Sequence, residues 1–423
     1  MQTFGKGNGL AYGLLGLPLA FVALPLYVIL PNYYAKEFGV PLAILGAILL
    51  GARLFDAFID PLLGRLSDRL FARSANAVLR AGVLAALVLA IGFALLFFPQ
   101  VKTPNALIVW ATVMLMVTYA AYSFLSVSHQ SWGAMLGGNE AERSRIVAWR
   151  EALGLLGVVM ASVTPVALGM PATTAIFFIA LVVGWLAWSR AVQPVAKKNV
   201  AAELADIWLP FKHANFKRLL LVFMLNGTAS AVPATLVLFF IQDRLQAPTS
   251  MEPLFLGSYF LAAALSIPLW LAIVKRIGLA KAWLCGMALS IAVFSWATQI
   301  GSGQTTAFLI ICALSGVALG TDLALPGALL AGVIQSNGDS GKSEGAYFGW
   351  WNFAIKLNLA LAAGLALPLL GLFGYAPGAR GPEALQALVI AYCVLPCVLK
   401  LAASAALYFL IIEPATKTIE ATT

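Results

Sequence analysis

Two carboxylates four residues apart, Asp56 and Asp60, stand in RLFDAFIDPLLGRLSDR (53–69), directly after the apolar run VPLAILGAILLGA. At i and i+4 on a helix they share one face, and Arg53, three residues before Asp56, joins them there. Ionised carboxylates this close repel in a medium of low dielectric, so the pair takes up a proton or holds a cation between its oxygens. A hard cation such as Na⁺ takes oxygen ligands, which hydroxyls and carbonyls nearby would complete. Counted back from Gly64 at 1.5 Å per residue, Asp56 lies about 12 Å deep, near the middle of a bilayer. An internal Arg53–Asp56 salt bridge that only locks helix packing is the plainer alternative, and it explains Asp60 less well.

Other ionisable groups interrupt apolar runs: His129, Arg150, Glu151, Asp322 in ALGTDLALPG and Lys356 in WWNFAIKLNLALAAGLALP. Each such group costs about 2.5–3.5 kcal/mol at a bilayer centre and marks a candidate site. Lys356, about 15 Å into its helix, needs a carboxylate partner or must lose its proton. Asp56 or Asp60 across a cleft, and Asp322 on a neighbouring helix, are both open as that partner. A pair broken and remade would couple an ion to a conformational change, whereas a static Lys356–Asp322 bridge would only pack helices. His129, Arg150 and Lys356 lean positive and suit an anionic group, while Trp132, Trp350 and Trp351 suit a ring or an apolar body. The plain readings are a neutral helix-end His129, an Arg150 capped by Glu151, and tryptophans anchored at the interface. Asn226, Thr228, Ser230 and Asn352 are further polar candidates, or helix-packing residues.

The elements that must position these groups are membrane helices. Of 423 residues 61% are hydrophobic and 10% charged, where a soluble domain carries about 25% charge. Twelve stretches are long enough to cross a bilayer: 10–33, 40–64, 78–98, 104–129, 146–168, 172–192, 217–241, 253–274, 279–300, 305–334, 345–372 and 384–412. The first is too long for a signal-peptide core and lacks a cleavage site, so it reads as a retained helix. Arg65, Arg69, Arg73, Arg80, Arg143, Arg145, Lys197, Lys198, Lys212, Lys217, Arg218, Lys275, Arg276 and Lys281 fall in even-numbered connections. The odd connections hold little beyond Lys36, Lys102, Arg244 and Arg380. This bias places both termini in the cytoplasm and accounts for the net charge of +9 without a nucleic-acid partner.

The longest polar connection divides the helices six and six, predicting a bundle over 1–194, a cytoplasmic linker over 195–215 and a second bundle over 216–423. Transporters built this way hold substrate near the midplane between the halves. Cys285, Cys312, Cys393 and Cys397 fall within predicted helices and read as small apolar residues, with no disulfide framework or Cys/His metal site. The chain has two histidines and no G-x-x-x-x-G-K-[ST] stretch, so neither ATP hydrolysis nor an HExxH metalloprotease is supported. LGTD at 319–322 invites comparison with an intramembrane aspartic protease, but no second feature supports it. No catalytic residue is assigned, and no cofactor is expected beyond a coupling cation, Na⁺ or H⁺.

RLFDAFIDPLLGRLSDR closely resembles the helix-2 signature of the glycoside–pentoside–hexuronide:cation symporters, the group of the melibiose permease, within the major facilitator superfamily. The resemblance extends to ERSRIVAWREALGLLG (142–157), NGTASAVPATLVLFFIQDRL on helix 7 and the lysine on helix 11. It implies a major facilitator fold, a cation site at Asp56 and Asp60, a lysine beside it at Lys356, and a solute-binding arginine at Arg150. It also implies a cytoplasmic latch at Asp68 and Arg69. Two positions depart from the pattern: Ala20 and Leu125 stand where that group has sugar-holding aspartates, and His129 where a sugar-stacking tryptophan would stand. The cation half of the site is present and the sugar half is not.

The expectation is therefore a monomeric, multi-pass protein of a bacterial inner membrane. It would carry a sugar-like solute or organic anion by cation-coupled symport, with the lipid bilayer as its other partner. Asp56, Asp60, Lys356 and Asp322 form the candidate coupling set. Arg53, His129, Trp132, Arg150, Asn226, Trp351 and Asn352 form the candidate solute set. Rival readings are a proton-linked exporter or a carrier of amphiphilic molecules, and a receptor or scaffold that transports nothing.

Overall fold

A computed structural model of the chain describes residues 5–194, 206–376 and 378–420. Residues 195–205, most of the predicted linker and the site of Lys197 and Lys198, lie outside the described residues. Among the described residues the chain is helical and connected by turns. Ten helices among the described residues are long and apolar enough to cross a membrane: α1 (Lys6–Tyr27), α3 (Ala75–Phe97), α4 (Pro104–Met135), α5 (Glu140–Pro165), α6 (Ala167–Ser189), α7 (Ala214–Leu245), α8 (Thr249–Ile277), α9 (Leu279–Ala297), α10 (Thr305–Ser336) and α12 (Pro382–Ile412). Two further long helices, α2 (Leu42–Arg73) and α11 (Glu344–Leu372), carry the charged residues of the helix-2 signature and Lys356. The chain forms two compact units, Met1–Lys212 with Ala331–Phe353, and His213–Leu330 with Ala354–Thr423.

In the first unit, glycines let backbones approach. A Cβ on Gly13 would stand 2.7 Å from the Trp149 carbonyl oxygen, and one on Gly157 would stand 2.1 Å from that of Leu17. α1 therefore lies directly on α5, as small residues permit in membrane bundles. α5 passes into α6 through a kink where Gly169 takes φ +79 and ψ 169, a conformation that only glycine adopts at no steric penalty. Tyr12, Phe21, Phe93, Phe97, Phe177 and Trp188 form part of the unit's core.

α2 is built inside out. Leu50, Leu54, Phe58, Leu62 and Leu66 are exposed, one per turn, whereas Ala52, Asp56, Asp60 and Ser67 are fully buried. A soluble amphipathic helix does the reverse. The head of α11 rests on the same helix: a Cβ on Gly64 would meet the Gly345 carbonyl oxygen at 2.0 Å, and one on Gly349 the Asp60 carbonyl oxygen at 2.7 Å.

In the second unit, α12 packs along α7 and α9. Phe240 stacks on Tyr392 with centroids 4.3 Å apart, beside Phe255 and Phe308. The segment after α11 is fastened to α7 by Asp243, which accepts from the Tyr375 hydroxyl at 2.5 Å and the Gly378 N–H at 3.0 Å.

Candidate functional site

The carboxylates of α2 are wholly enclosed. Asp56 and Asp60 are both 0% exposed, and Asp56 Oδ1 accepts the Ser123 hydroxyl of α4 at 2.6 Å. A second α2–α4 contact, Ser128 donating to Ser67 at 3.1 Å, lies further along. Pro61 follows Asp60 inside the helix and has no N–H to give the Ala57 carbonyl one turn back. That carbonyl, two carboxylates and one hydroxyl are oxygen donors of the kind a hard cation takes. Arg53 is exposed, and its guanidinium sits 4.3 Å from the centroid of the Tyr27 ring. Tyr122 of α4 feels the charges of Asp56 and Asp60 and also those of Arg150 and Glu151 on α5. There Arg150 and Glu151 are hydrogen-bonded to each other and partly buried.

The aromatic candidates of α4 are placed in the packed interior. The His129 Nε2–H donates to the Tyr12 carbonyl at 2.8 Å, while the Tyr12 hydroxyl donates to the His129 carbonyl at 3.0 Å. The imidazole lies 4.4 Å from the Tyr12 ring and meets Trp188 edge-on. Trp132 is fully buried and gives its indole N–H to the Val192 carbonyl at 2.9 Å. Asn352 is buried and accepts from Gln130 at 3.2 Å, and Gln130 also donates to Ser126. Trp351 is buried, and Trp350 gives its N–H to the Ile207 carbonyl at 2.7 Å.

Of the two residues expected to form a latch, Asp68 caps a helix. Its two carboxylate oxygens accept the N–H groups of Gly345 and Ala346 at 2.6 and 2.8 Å. These are among the first N–H groups of α11, which have no partner within the helix, at the end where its dipole favours an anion. Arg69, one residue on, is exposed. Glu344, at the head of α11 just ahead of the 345–372 span, is fully buried and accepts the Gly341 N–H at 2.6 Å. Burial lifts its carboxyl to about 7, against hydrogen bonds from the local backbone and Ser340 that pull it down.

The second unit holds its own charged centre. Asp322 of α10 accepts from Asn226 and Trp283 on one oxygen, at 2.9 and 2.8 Å. Its other oxygen accepts from Ser230 and Lys400, both at 3.0 Å. The ammonium on Asp322 is thus that of Lys400, from α12, which also donates to Asn226 at 2.8 Å. Lys356, named with Asp322 as a possible pair, is half-buried on α11. Thr228 donates to Asn358 at 3.1 Å. Ser123, Gln130 and Lys400 were not singled out from sequence.

With this geometry in view, residues 9–413 match the family of MFS/sugar transport proteins, and the chain belongs to that family. It is a multi-pass major facilitator transporter, not an enzyme. An uncharacterized symporter of Bacillus subtilis (strain 168) is 25% identical over 374 residues, covering 83% of this chain and 80% of that protein. A Salmonella typhimurium (strain LT2) protein named for sulfoquinovose import is 25% identical over 366 residues, covering 82% and 76%. Among solved structures, the E. coli fucose:proton symporter superposes with a TM-score of 0.68 at 13% identity, covering 95% of this chain and 99% of that one. At that identity the likeness shows the fold.

Proposed function

We propose that the protein is a cation-coupled symporter of a small organic solute, sugar-like or an organic anion, working by alternating access. The observation that carries the reading is the enclosed pair on α2: two carboxylates one turn apart, a hydroxyl already on one of them, and an apolar exposed face behind them. Groups this expensive to bury are held for an ion that enters and leaves. Asp56 and Asp60 take the coupling ion, Na⁺ or H⁺, with Ser123 as a further ligand. Lys356 is the basic residue assigned to coupling, and Asp68 the latch on the cytoplasmic side. Arg53, Arg150, Asn226 and Asn352 are assigned to the solute. Twelve spans, cytoplasmic termini, a bacterial inner membrane and a monomer complete the proposal, and a relative's description as a symporter supports its coupled transport.

The test is thermal unfolding of the purified protein against sugars, hexuronates and other organic anions, with and without Na⁺, repeated in Asp56→Asn. A ligand at 100 times its dissociation constant adds about 2.7 kcal/mol of stability. A solute whose stabilisation grows with Na⁺ in the wild type only assigns sodium coupling. Growth with falling pH, lost in the variant, assigns proton coupling. A solute stabilising both proteins alike under every condition would overturn the coupling role of Asp56.

A further inference from the structure

A cavity of about 320 Å³ lies inside the second unit, lined by residues of α7, α8, α9, α10 and α12. Five of its nineteen lining residues are aromatic, Phe255, Tyr259, Phe260, Phe294 and Tyr392, and Asp322 and Lys400 line it too. Hydrogen-bond capacity within that ion pair is unequal. Asp322 accepts four bonds, from Asn226, Trp283, Ser230 and Lys400, which fills the lone pairs of a carboxylate. Lys400 is 5% exposed and uses two of its three N–H groups, on Asn226 and Asp322. The pair is neutral, its acceptor is saturated, and Lys400, which lines the cavity, has one N–H beyond these two bonds. Such a centre recruits an acceptor, and a carboxylate is the acceptor that an ammonium holds most strongly.

Charge balance decides what accompanies it. A carboxylate arriving on Lys400 leaves two anions and one cation in an apolar enclosure, and the surplus charge is neutralised by proton uptake. Besides Lys400, the titratable groups that line the cavity with Asp322 are Tyr259, Cys312 and Tyr392, all neutral near pH 7. α7 and α9 contribute Asn226, Ser230 and Trp283, which do not titrate. The proton therefore goes to Asp322 Oδ2, where the Ser230 hydroxyl turns from donor to acceptor to make room for it. The ring-lined walls favour a flat aromatic body packed by offset or edge-on contacts, and the volume falls at the small end of ligand pockets. We propose that this cavity binds a small aromatic carboxylate together with one proton, the carboxylate on Lys400 and the proton on Asp322. The proposal stands apart from which ion Asp56 and Asp60 hold.

The experiment is calorimetric titration of the full-length detergent-solubilised protein with 2-naphthoate, and separately with its neutral amide. Each titration runs in two buffers of different ionisation enthalpy and at several pH values. The expected result is uptake of about one proton per naphthoate bound, with affinity rising about tenfold for each unit of falling pH, and much weaker binding of the amide. Asp322→Asn should bind naphthoate without proton uptake and independently of pH, and Lys400→Ala should lose at least about tenfold in naphthoate affinity. The wild-type titrations decide the matter even if a variant fails to fold. Equal affinity for acid and amide, pH-independent binding of naphthoate, or no binding at millimolar naphthoate to folded protein would each overturn the proposal.

Discussion

The Ser123 hydroxyl donates to Asp56 at 2.6 Å, so α4 reaches into α2 at the first of its three buried carboxylates. A hydrogen bond to a charged group contributes about 1.5–3 kcal/mol. Ser123→Ala should therefore weaken the coupling ion about 10- to 100-fold. Asp56→Asn and Asp60→Asn should each abolish concentrative uptake. Solute uptake into proteoliposomes, followed as a function of external Na⁺ and pH, reads all three. Unchanged half-saturation in Ser123→Ala would remove that residue from the ion site.

Asp68 caps α11 through two backbone N–H groups, and losing such a cap costs about 0.5–2 kcal/mol. Asp68→Ala should lower the melting temperature and speed hydrogen exchange at the Gly345 and Ala346 amides. Asp68→Asn, which keeps one acceptor oxygen, should fall between the two. Wild-type exchange at those amides in the alanine variant would contradict the assignment.

Glu344 gives the pH dependence its sign. Its carboxyl is raised from 4.5 to about 7 in the folded protein, chiefly by burial. The folded state thus binds the proton more tightly than the unfolded chain, and unfolding releases it. Its contribution is fully present below the unfolded value of about 4.5 and is lost as pH rises through about 7. Melting temperature should fall across that window, and Glu344→Gln should flatten that part of the curve.

Gly64 is where α2 and the head of α11 touch, 2.0 Å from a carbonyl oxygen for any added Cβ. Gly64→Ala must push the two backbones apart, an overpacking effect of about 1–3 kcal/mol. Gly51 of the same helix has nothing within 4 Å of its Cβ position, so Gly51→Ala should be neutral or mildly stabilising. Paired melting curves distinguish steric contact from helix propensity.

The Lys400–Asp322 pair makes an asymmetric prediction. Removing one partner of a buried pair costs about 3–5 kcal/mol, whereas replacing both by apolar groups of similar size is often neutral. Lys400→Ala should unfold several degrees earlier. Lys400→Met combined with Asp322→Leu should recover most of the loss in a denaturation assay.

The membrane character and the family were legible because charges within long apolar runs are costly, so Asp56 and Asp60 stood out at once. Ser123 did not, because a serine in a membrane helix is ordinary until its partner is known. That partner is 67 residues away. The same limit hid Lys400: Asp322 had to be matched to a cation, and spacing along the chain gives no ranking between residues on different helices. The tertiary fold settled on α12 instead of α11. His129 and Trp132 carried chemical types suited to a ligand, and the structure commits their polar hydrogens to the Tyr12 and Val192 carbonyls.

The inverted polarity of α2 bears on how the chain is made. Arg53, Asp56, Asp60, Arg65, Asp68, Arg69 and Arg73 all belong to this one helix, and a charge near mid-helix costs about 2.5–3.5 kcal/mol at insertion. Lipid offers nothing in place of the Ser123 hydroxyl, which the ribosome has yet to synthesise when α2 emerges. The second helix is therefore expected to stay at the insertion machinery until the fourth arrives, and a chain truncated before α4 should remain crosslinkable there where the longer chain is released to lipid.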